Sequence, residues 1–586
     1  MYSNIKNVQI LVALLKKHGI RHLVLSPGAR NIPIVHSVEN DNFFQCYSVV
    51  DERSAAFFAI GISLETNEPV AVSCTSSTAS CNYLSGLTEA YYRHIPIVAI
   101  TADRDPYYID QMESLLIKQQ NMYQDIMKKS VQLPIVNNAE DFWYCERLVN
   151  EALLELDHHG KGPVHINIPT VGNHYLYDCK VLPEVRKMER LIQGTQNTAW
   201  MEKSRVINAK SRILIFWGEN IHASSECEAS LAAFAKCHNC VIIKEHMGNI
   251  SLDKSLNPAL IINAMSVEEF DQYGPDLIIS TGGDVVSGTK AILTNWKGKC
   301  EHWLIDESGK VTDIFRKLTT IFECSPKYFF DYFSKDSGQK PDDNSYSNLW
   351  TRALGDACLP EVPFSNAFAI KSLMEKVPAN SNLHLSILNS VRLAQYFQLD
   401  PDVKVFSNLG AFGIDGCMST FLGQASISKN LNFLIIGDLS FFYDMNSIWI
   451  KHIKSNVRIL LLNNYGAAEF HFGYGKEILP EINDYTAAEH FRSAKQWVED
   501  NQFTYLSAHN INDIHNCLDA FCKPDAARPM ILEVFTDKES DGRTAHILAD
   551  YNKQENLKDI SKKMIKSVIG KQNVEKIKNI IRKKTD

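Results

Sequence analysis

Short β-branched and aliphatic runs alternate with helix-period stretches along almost the whole chain, the rhythm of parallel α/β domains. Runs at residues 22–25, 70–74, 97–101 and 164–168 read as strands of a first unit, after which Pro169 and Gly172 open a less regular segment. A second group begins near Ser211, with strands expected at 213–217, 241–244, 277–280 and 302–305. The stretch from Ser334 to Ser347 is polar and rich in turn formers, and reads as a linker. A third group follows, with strands expected near 404–407, 433–436, 459–462 and 530–535. The first and third groups match in size and strand rhythm, and no short-period repeat is visible. The first twenty residues read as an amphipathic helix rather than a basic leader with a cleavage site, which leads to the expectation of a cytoplasmic protein.

Composition narrows the function classes. Hydrophobic residues make up 45% and charged residues 22% of the 586-residue chain, ordinary for a globular protein and unlike a disordered, collagen-like or rod-like one. The formal net charge of −8 argues against nucleic acid as a partner. No apolar run reaches the roughly 18 residues that a membrane span needs. Charge is unevenly placed. Residues 551–586 hold eleven Lys/Arg against four Asp/Glu, so this tail carries +7 and the other 550 residues carry −15. Its Ile and Met spacing reads as a basic amphipathic helix lying on the acidic body. Fourteen cysteines over this length are not a disulfide framework, and Cys237 with Cys240 is a lone CxxC lacking the second pair that a zinc site needs.

The chain has no GxSxG elbow, no HExxH and no GxxxxGK[ST] loop. Two other features carry chemistry. The first is Ile435-Ile436-Gly437-Asp438-Leu439-Ser440, followed one strand later by Leu462-Asn463-Asn464-Tyr465-Gly466. Ligands of parallel α/β sheets bind beyond the carboxyl ends of the strands. An Asp, an Asn amide oxygen and a backbone carbonyl there offer hard oxygens to an octahedral Mg²⁺ that also takes diphosphate oxygens. Gly437 lets the backbone come close to phosphates, and Ser440 can donate a hydrogen bond. The bland alternative for Asp438 is a helix cap. The second feature is Asp51-Glu52-Arg53-Ser54-Ala55-Ala56-Phe57-Phe58, where an apolar strand meets a very apolar helix. Glu52 is either a first-turn acid favoured by the helix dipole or a carboxyl in an apolar pocket that shares a proton with a ligand nitrogen.

Together these features resemble thiamine diphosphate (ThDP) enzymes, and more closely the 2-succinyl-5-enolpyruvyl-6-hydroxy-3-cyclohexene-1-carboxylate (SEPHCHC) synthases, the MenD family of menaquinone biosynthesis. The resemblance is carried by Ser26-Pro27-Gly28-Ala29-Arg30, the Glu52 segment, Cys74-Thr75-Ser76-Ser77-Thr78-Ala79, Asn82-Tyr83, Glu89-Ala90, Thr101-Ala102-Asp103-Arg104 and Ser407-Asn408-Leu409-Gly410-Ala411-Phe412-Gly413-Ile414-Asp415-Gly416. It spans most of residues 1–550 and is weakest in the middle. It implies three parallel-sheet α/β domains of the ThDP-dependent decarboxylase type: pyrimidine-binding (1–185), central (190–335) and diphosphate-binding (348–550). The cofactor is then held between subunits of a dimer or tetramer. The resemblance makes Glu52 the catalytic carboxylate that holds the aminopyrimidine in its imino form. Thr78, Asn82, Ala411, Gly437, Asp438, Leu439, Ser440 and Asn464 become cofactor contacts, and Ile414 the wedge that bends it. Asp438, Asn464 and the Gly466 carbonyl become Mg²⁺ ligands. The implied reaction is loss of CO₂ from a 2-oxo acid donor, with the cofactor as electron sink, and transfer of the acyl-anion unit to an anionic or carbonyl acceptor.

The substrate positions depart from the family more than the cofactor positions do. Arg30, Arg104 and Lys290 resemble its cationic acceptor site, where arginine forks suit carboxylates. At the donor end Leu409 stands for an arginine and Phe412 for a small residue. Ser114-Leu115 replaces an Asn-Gln pair, Ser77 replaces a glycine, and Glu469, beside Phe470, replaces an apolar residue. Arg392 keeps one arginine near the donor. The expected activity is a ThDP- and Mg²⁺-dependent 2-oxo acid carboligase with an altered substrate pocket. An unmodified SEPHCHC synthase using 2-oxoglutarate and isochorismate, a simple 2-oxo acid decarboxylase and a non-catalytic relative are the alternatives.

Overall fold

A computed structural model describes residues 1–188, 198–220, 224–310, 312–335, 344–473 and 482–553. The expected tail helix, from residue 554 on, and residues 336–343 of the polar stretch lie outside the described residues. The described strands form three six-stranded sheets in which every ladder is parallel.

The first sheet holds β1 (His22–Leu25), β2 (Gln45–Ser48), β3 (Val70–Cys74), β4 (Ile97–Asp103), β5 (Lys129–Gln132) and β6 (Val164–Pro169), in the order β2-β1-β3-β4-β6-β5. The second holds β7 (Ile213–Trp217), β8 (Cys240–Lys244), β9 (Ser255–Leu256), β10 (Leu277–Thr281), β11 (Glu301–Ile305) and β12 (Leu318–Phe322), in the order β12-β11-β10-β7-β8-β9. The third holds β13 (Asn382–Leu385), β14 (Lys404–Phe406), β15 (Asn432–Gly437), β16 (Val457–Asn463), β17 (Thr504–Ala508) and β18 (Met530–Phe535), in the order β14-β13-β15-β16-β18-β17. Counted within each unit, the first and third sheets share one topology. The central sheet instead has the doubly wound order of nucleotide-binding folds.

Both faces of the inner strands are buried, which is why they read as unbroken apolar runs. Alternate residues serve different cores. Val24 of β1 faces one cluster, and Leu23 and Leu25 face another that packs on the helix Lys6–Lys17. That N-terminal helix is buried at Ile10 through Leu15, more enclosed than its amphipathic pattern suggests. In the third sheet Leu434 and Ile436 join the Val24 cluster, whereas Phe433 and Ile435 turn to a separate core. One apolar core therefore runs through the first and third sheets. It is bridged by the helices Glu52–Thr66 and Cys417–Ile427, whose backbones touch at Gly61 and Gly423. The central sheet has two cores of its own. Tyr346 and Trp350, on the helix Ser345–Asp356, lie in one of them, so that helix packs with the central sheet, although the sequence reading gave residues from 348 to the third unit. Cys240 is buried in β8, where burial pushes its thiol up to about 12, and Cys237 ends the preceding helix half-buried.

Candidate functional site

Asp438 is the first residue of the helix Asp438–Tyr443, directly after β15, and is 2% exposed. Its Oδ1 accepts the Leu439 N–H at 2.7 Å, and its Oδ2 accepts the Gly466 N–H at 3.0 Å from the end of β16. Parallel pairing of β15 with β16, Gly437 beside Leu462, brings these two strand ends together. Gly466 adopts φ 145°, and a Cβ there would lie 2.6 Å from the Ala487 carbonyl oxygen, so the turn requires glycine. The buried Asn464 donates its amide N–H to Asp541 Oδ2 at 2.8 Å, which fixes the amide and leaves its oxygen free of Asp541. Asp541 also accepts from the Thr536 hydroxyl and the Asn366 N–H. Among the described residues, nothing lies within 4 Å of where a Gly437 side chain would begin, so the strand end faces open space between them.

His490 completes this cluster and was not picked out by sequence. Its Nδ1 accepts the Arg492 N–H, which leaves the proton on Nε2, 3.2 Å from Asp438 Oδ2. Ser440 behaves differently from the expectation of a free donor. Its hydroxyl donates to the Ile414 carbonyl at 2.6 Å and accepts from Ser386, so it anchors the loop that presents Ile414. Ile414 is 36% exposed, an apolar side chain held in the open.

The same loop is gripped from the first sheet. Glu89, on the helix Leu84–Tyr92, accepts the N–H groups of Ala411 at 2.7 Å and Gly410 at 3.3 Å. Glu89 is a site residue that the sequence reading does not single out. The signal available was an acid on the buried face of an apolar helix, four residues before an arginine. A cavity of about 240 Å³ opens between this helix and the loop, lined in part by Phe57, Leu84, Glu89, Ala411 and Gly413.

Glu52 opens the helix Glu52–Thr66, capped by Asp51, whose side chain accepts the Arg53 and Ser54 N–H groups. The amide of Asn82 donates to Glu52 Oε2 at 3.3 Å. Asn82 ends the short helix Thr78–Asn82, and both Thr78 and Asn82 are exposed. No direct contact joins Glu52 to Asp438 among the described residues. Their helices meet further along, where Arg53 donates to the Tyr443 carbonyl at 2.8 Å and the Ser54 hydroxyl reaches Asp444 at 3.5 Å.

The cationic positions are mostly occupied by the chain's own acids. Arg104 pairs with Glu113 at 2.9 Å and donates to the Ser114 carbonyl. Lys290 pairs with Asp284 at 3.2 Å and remains 42% exposed. Arg392 pairs with Glu469 and lies 5.9 Å over the Phe412 ring. Arg30 alone among these keeps a buried Nε without a hydrogen-bond partner among the described residues, and burial, with Arg104 nearby, lowers its affinity for its proton. Leu409 corrects the picture of a pocket-lining leucine. It is 4% exposed and part of the third sheet's apolar core, with Phe412 packed against that core. Phe470 is half-buried beside Glu469.

A family model described as the thiamine pyrophosphate enzyme, N-terminal TPP binding domain, matches residues 5–132. A Bacteroides fragilis protein named 2-succinyl-5-enolpyruvyl-6-hydroxy-3-cyclohexene-1-carboxylate synthase is 39% identical over 570 residues, covering 94% of this chain and 100% of its own length. Its namesake from Bacteroides thetaiotaomicron is 39% identical over 94% of this chain and 99% of its own, and that from Flavobacterium johnsoniae 32% identical over 92% and 97%. Likeness at this level along nearly the full length of both partners places the chain in the SEPHCHC synthase family of thiamine diphosphate enzymes.

Proposed function

We propose that this ThDP enzyme decarboxylates a monocarboxylic 2-oxo acid and transfers the acyl-anion unit to an acceptor, with Mg²⁺ holding the cofactor diphosphate. Asp438, the Gly466 carbonyl and the Asn464 amide oxygen are the hard oxygens that would take the metal, leaving room for water and diphosphate oxygens. The open space before Gly437 suits the approach of a phosphate. When bound, the cofactor supplies an electron sink for the departing carboxylate. Glu52, steadied by the Asn82 amide, is the group that takes and returns a proton at a ligand nitrogen. Ile414, presented by the Ser440 and Glu89 contacts, would press on the cofactor from its apolar side. Exposed Val50 and Leu84 near Glu52, and Ile414 and Tyr443 on the third unit, support a second subunit covering both halves of the site.

The Arg392–Glu469 pair carries the donor reading. A dicarboxylic donor needs a cation for its distal carboxylate. Leu409 supplies none, and Arg392 is already neutralised. Placing a second carboxylate beside Glu469 adds like-charge repulsion in a partly buried site. The deciding experiment follows CO₂ release by the full chain with ThDP and Mg²⁺, offered pyruvate, larger monocarboxylic 2-oxo acids and 2-oxoglutarate, with and without isochorismate. We expect kcat/KM for a monocarboxylic donor to exceed that for 2-oxoglutarate by about tenfold or more. A preference for 2-oxoglutarate that depends on isochorismate would return the chain to unmodified SEPHCHC synthase activity.

A further inference from the structure

We propose that Gln119 is a positioning residue for the proton step at Glu52, holding Ser77 in a backbone conformation that a serine does not keep unaided. This role rests on the proton transfer proposed for Glu52. Ser77 joins β3 to the helix Thr78–Asn82 at φ 70° and ψ −130°, where the Cβ of any residue but glycine is crowded. Asn82, at the far end of that helix, is the residue whose amide reaches Glu52 Oε2 at 3.3 Å. A turn that relaxed at Ser77 would swing this single short helix and draw the amide away from the carboxylate.

Gln119 is 0% exposed, and its partners let its amide sit only one way round. Its Nε2 donates to the Ala102 carbonyl at 3.2 Å and to Asn167 Oδ1 at 2.9 Å, so its Oε1 faces the Ser77 N–H and accepts it at 2.7 Å. A reversed amide would set donor against donor at Ser77 and acceptor against acceptor at Asn167. Asn167 is itself fixed. Its Nδ2 donates to Asp103 Oδ2 at 2.8 Å and to Gln132 Oε1 at 2.6 Å, and its Oδ1 also accepts the Thr101 hydroxyl. Thr101, Ala102 and Asp103 belong to β4, Gln132 to β5 and Asn167 to β6, so the sheet aims the oxygen that grips the turn. Four residues after Gln119, the buried Tyr123 donates its hydroxyl to the Ser80 carbonyl, and the same segment thus holds the helix as well as its entry. A buried polar network satisfied in this way makes rigid what it touches.

Four full-length chains test the hold: wild type, Gln119→Met, Ser77→Gly and the double variant. Methionine fills most of the space of glutamine without its hydrogen bonds, and glycine keeps a positive φ with nothing to hold it there. In the cofactor-free chain, amide hydrogen exchange over residues 77–82 should rise about tenfold or more in Gln119→Met and return to within about threefold of wild type in the double variant. With ThDP, Mg²⁺ and the best 2-oxo acid donor, Gln119→Met should lower kcat by about tenfold or more and leave the donor KM within about threefold, because the proton step is slowed and donor binding is not. The double variant should recover most of that kcat. A purely structural loss of the buried network is the same in both backgrounds and is not recovered by glycine. Equal losses from Gln119→Met in the wild-type and Ser77→Gly backgrounds, or a Gln119→Met chain indistinguishable from wild type, therefore overturn the inference. Should Gln119→Met alone fail to fold, a folded and active double variant supports the hold and an unfolded one overturns it. Turnover of no 2-oxo acid by the ThDP-loaded wild type overturns the proposed function instead, and the exchange comparison still decides the hold on Ser77.

Discussion

Ser77 sits at φ 70° and ψ −130°, a backbone region that glycine enters freely and other residues enter under strain. Its N–H is held there by the buried Gln119 side chain at 2.7 Å, and the helix carrying Thr78 and Asn82 starts at the next residue. Leu388, at φ 62° and ψ −123°, stands in the same way before the helix that carries Arg392. Phe412 and Leu115, two further departures from the family pattern, also have positive φ. Strain of this kind costs about 1–3 kcal/mol per residue and gathers where a site dictates the backbone. Ser77→Gly should therefore stabilise the fold. Relief of strain outweighs the roughly 0.5–1 kcal/mol that glycine loses through its freer unfolded chain, so a net gain of about 1 kcal/mol is expected as a higher urea midpoint. An unchanged or lower midpoint would show that the serine is unstrained. Asp438, Asn464 and Glu52 are legible as candidates because acids and amides at the ends of apolar strands stand out from the pattern around them. Glu89, His490 and Asp541 were not legible, because their roles come from contacts across elements far apart in the chain.

At the scale of elements, the crossing of helices Glu52–Thr66 and Cys417–Ile427 decides whether the first and third units share a core. A Cβ at Gly61 would lie 1.9 Å from the Thr420 carbonyl oxygen and 2.6 Å from the Gln424 nitrogen. Both are helix backbone and cannot yield as a side-chain tip would. Gly61→Ala should cost about 3 kcal/mol or more, the upper end of overpacking. Gly355→Ala, in a helix where none of the described residues lies within 4 Å of the added carbon, should be neutral or gain up to about 1 kcal/mol. Equal thermal midpoints for the two variants would refute the close crossing. The strands show which part of the fold an apolar pattern can reveal. The twelve strands expected from sequence include eleven inner ones, buried on both faces. The missed β2, β5, β9, β12 and β17 are all sheet edges, where one flank lacks a neighbour and the pattern is mixed. The remaining miss, β13, lies inside its sheet but carries His384. That side chain is buried against Gln424, and burial lowers its pKa to about 3, so a polar residue interrupts a core strand.

Over the whole molecule, the three units meet at one guanidinium. Arg93, 1% exposed at its side chain, reaches Glu219 of the central unit at 2.7 Å, Asn408 of the third at 3.4 Å and Glu89 of its own helix at 3.8 Å. Glu219 follows β7 at the switch point of the central sheet, where folds of this order hold ligands. Here a carboxylate bound to Arg93 stands at that point, and Asp284 bears on it from the loop after β10. Two buried carboxylates share one arginine. Burial raises the pKa of both Glu89 and Glu219, and the attraction of Arg93 only partly offsets it. With folded values above the unfolded one, their favourable contribution is fully present below the ordinary glutamate range near 4.5. It is lost as pH rises through the folded values, because the unfolded chain then holds fewer protons than the native one. Glu219→Gln removes the excess carboxylate while keeping an acceptor for Arg93. The thermal midpoint of wild type relative to this variant should thus fall as pH is raised from about 4.5 toward neutrality. A difference that stays flat across that range would show that both acids are ionised throughout. Arg93→Met leaves the two carboxylates facing each other without their cation. Breaking a buried pair from one side costs about 3–5 kcal/mol, and since Glu89 also holds the Ala411 N–H, the loss should extend to the loop that presents Ile414. Amide hydrogen exchange at residues 410–416 should rise in Arg93→Met well beyond its rise in Glu219→Gln. Equal exchange in the two variants would separate the domain junction from the cofactor loop.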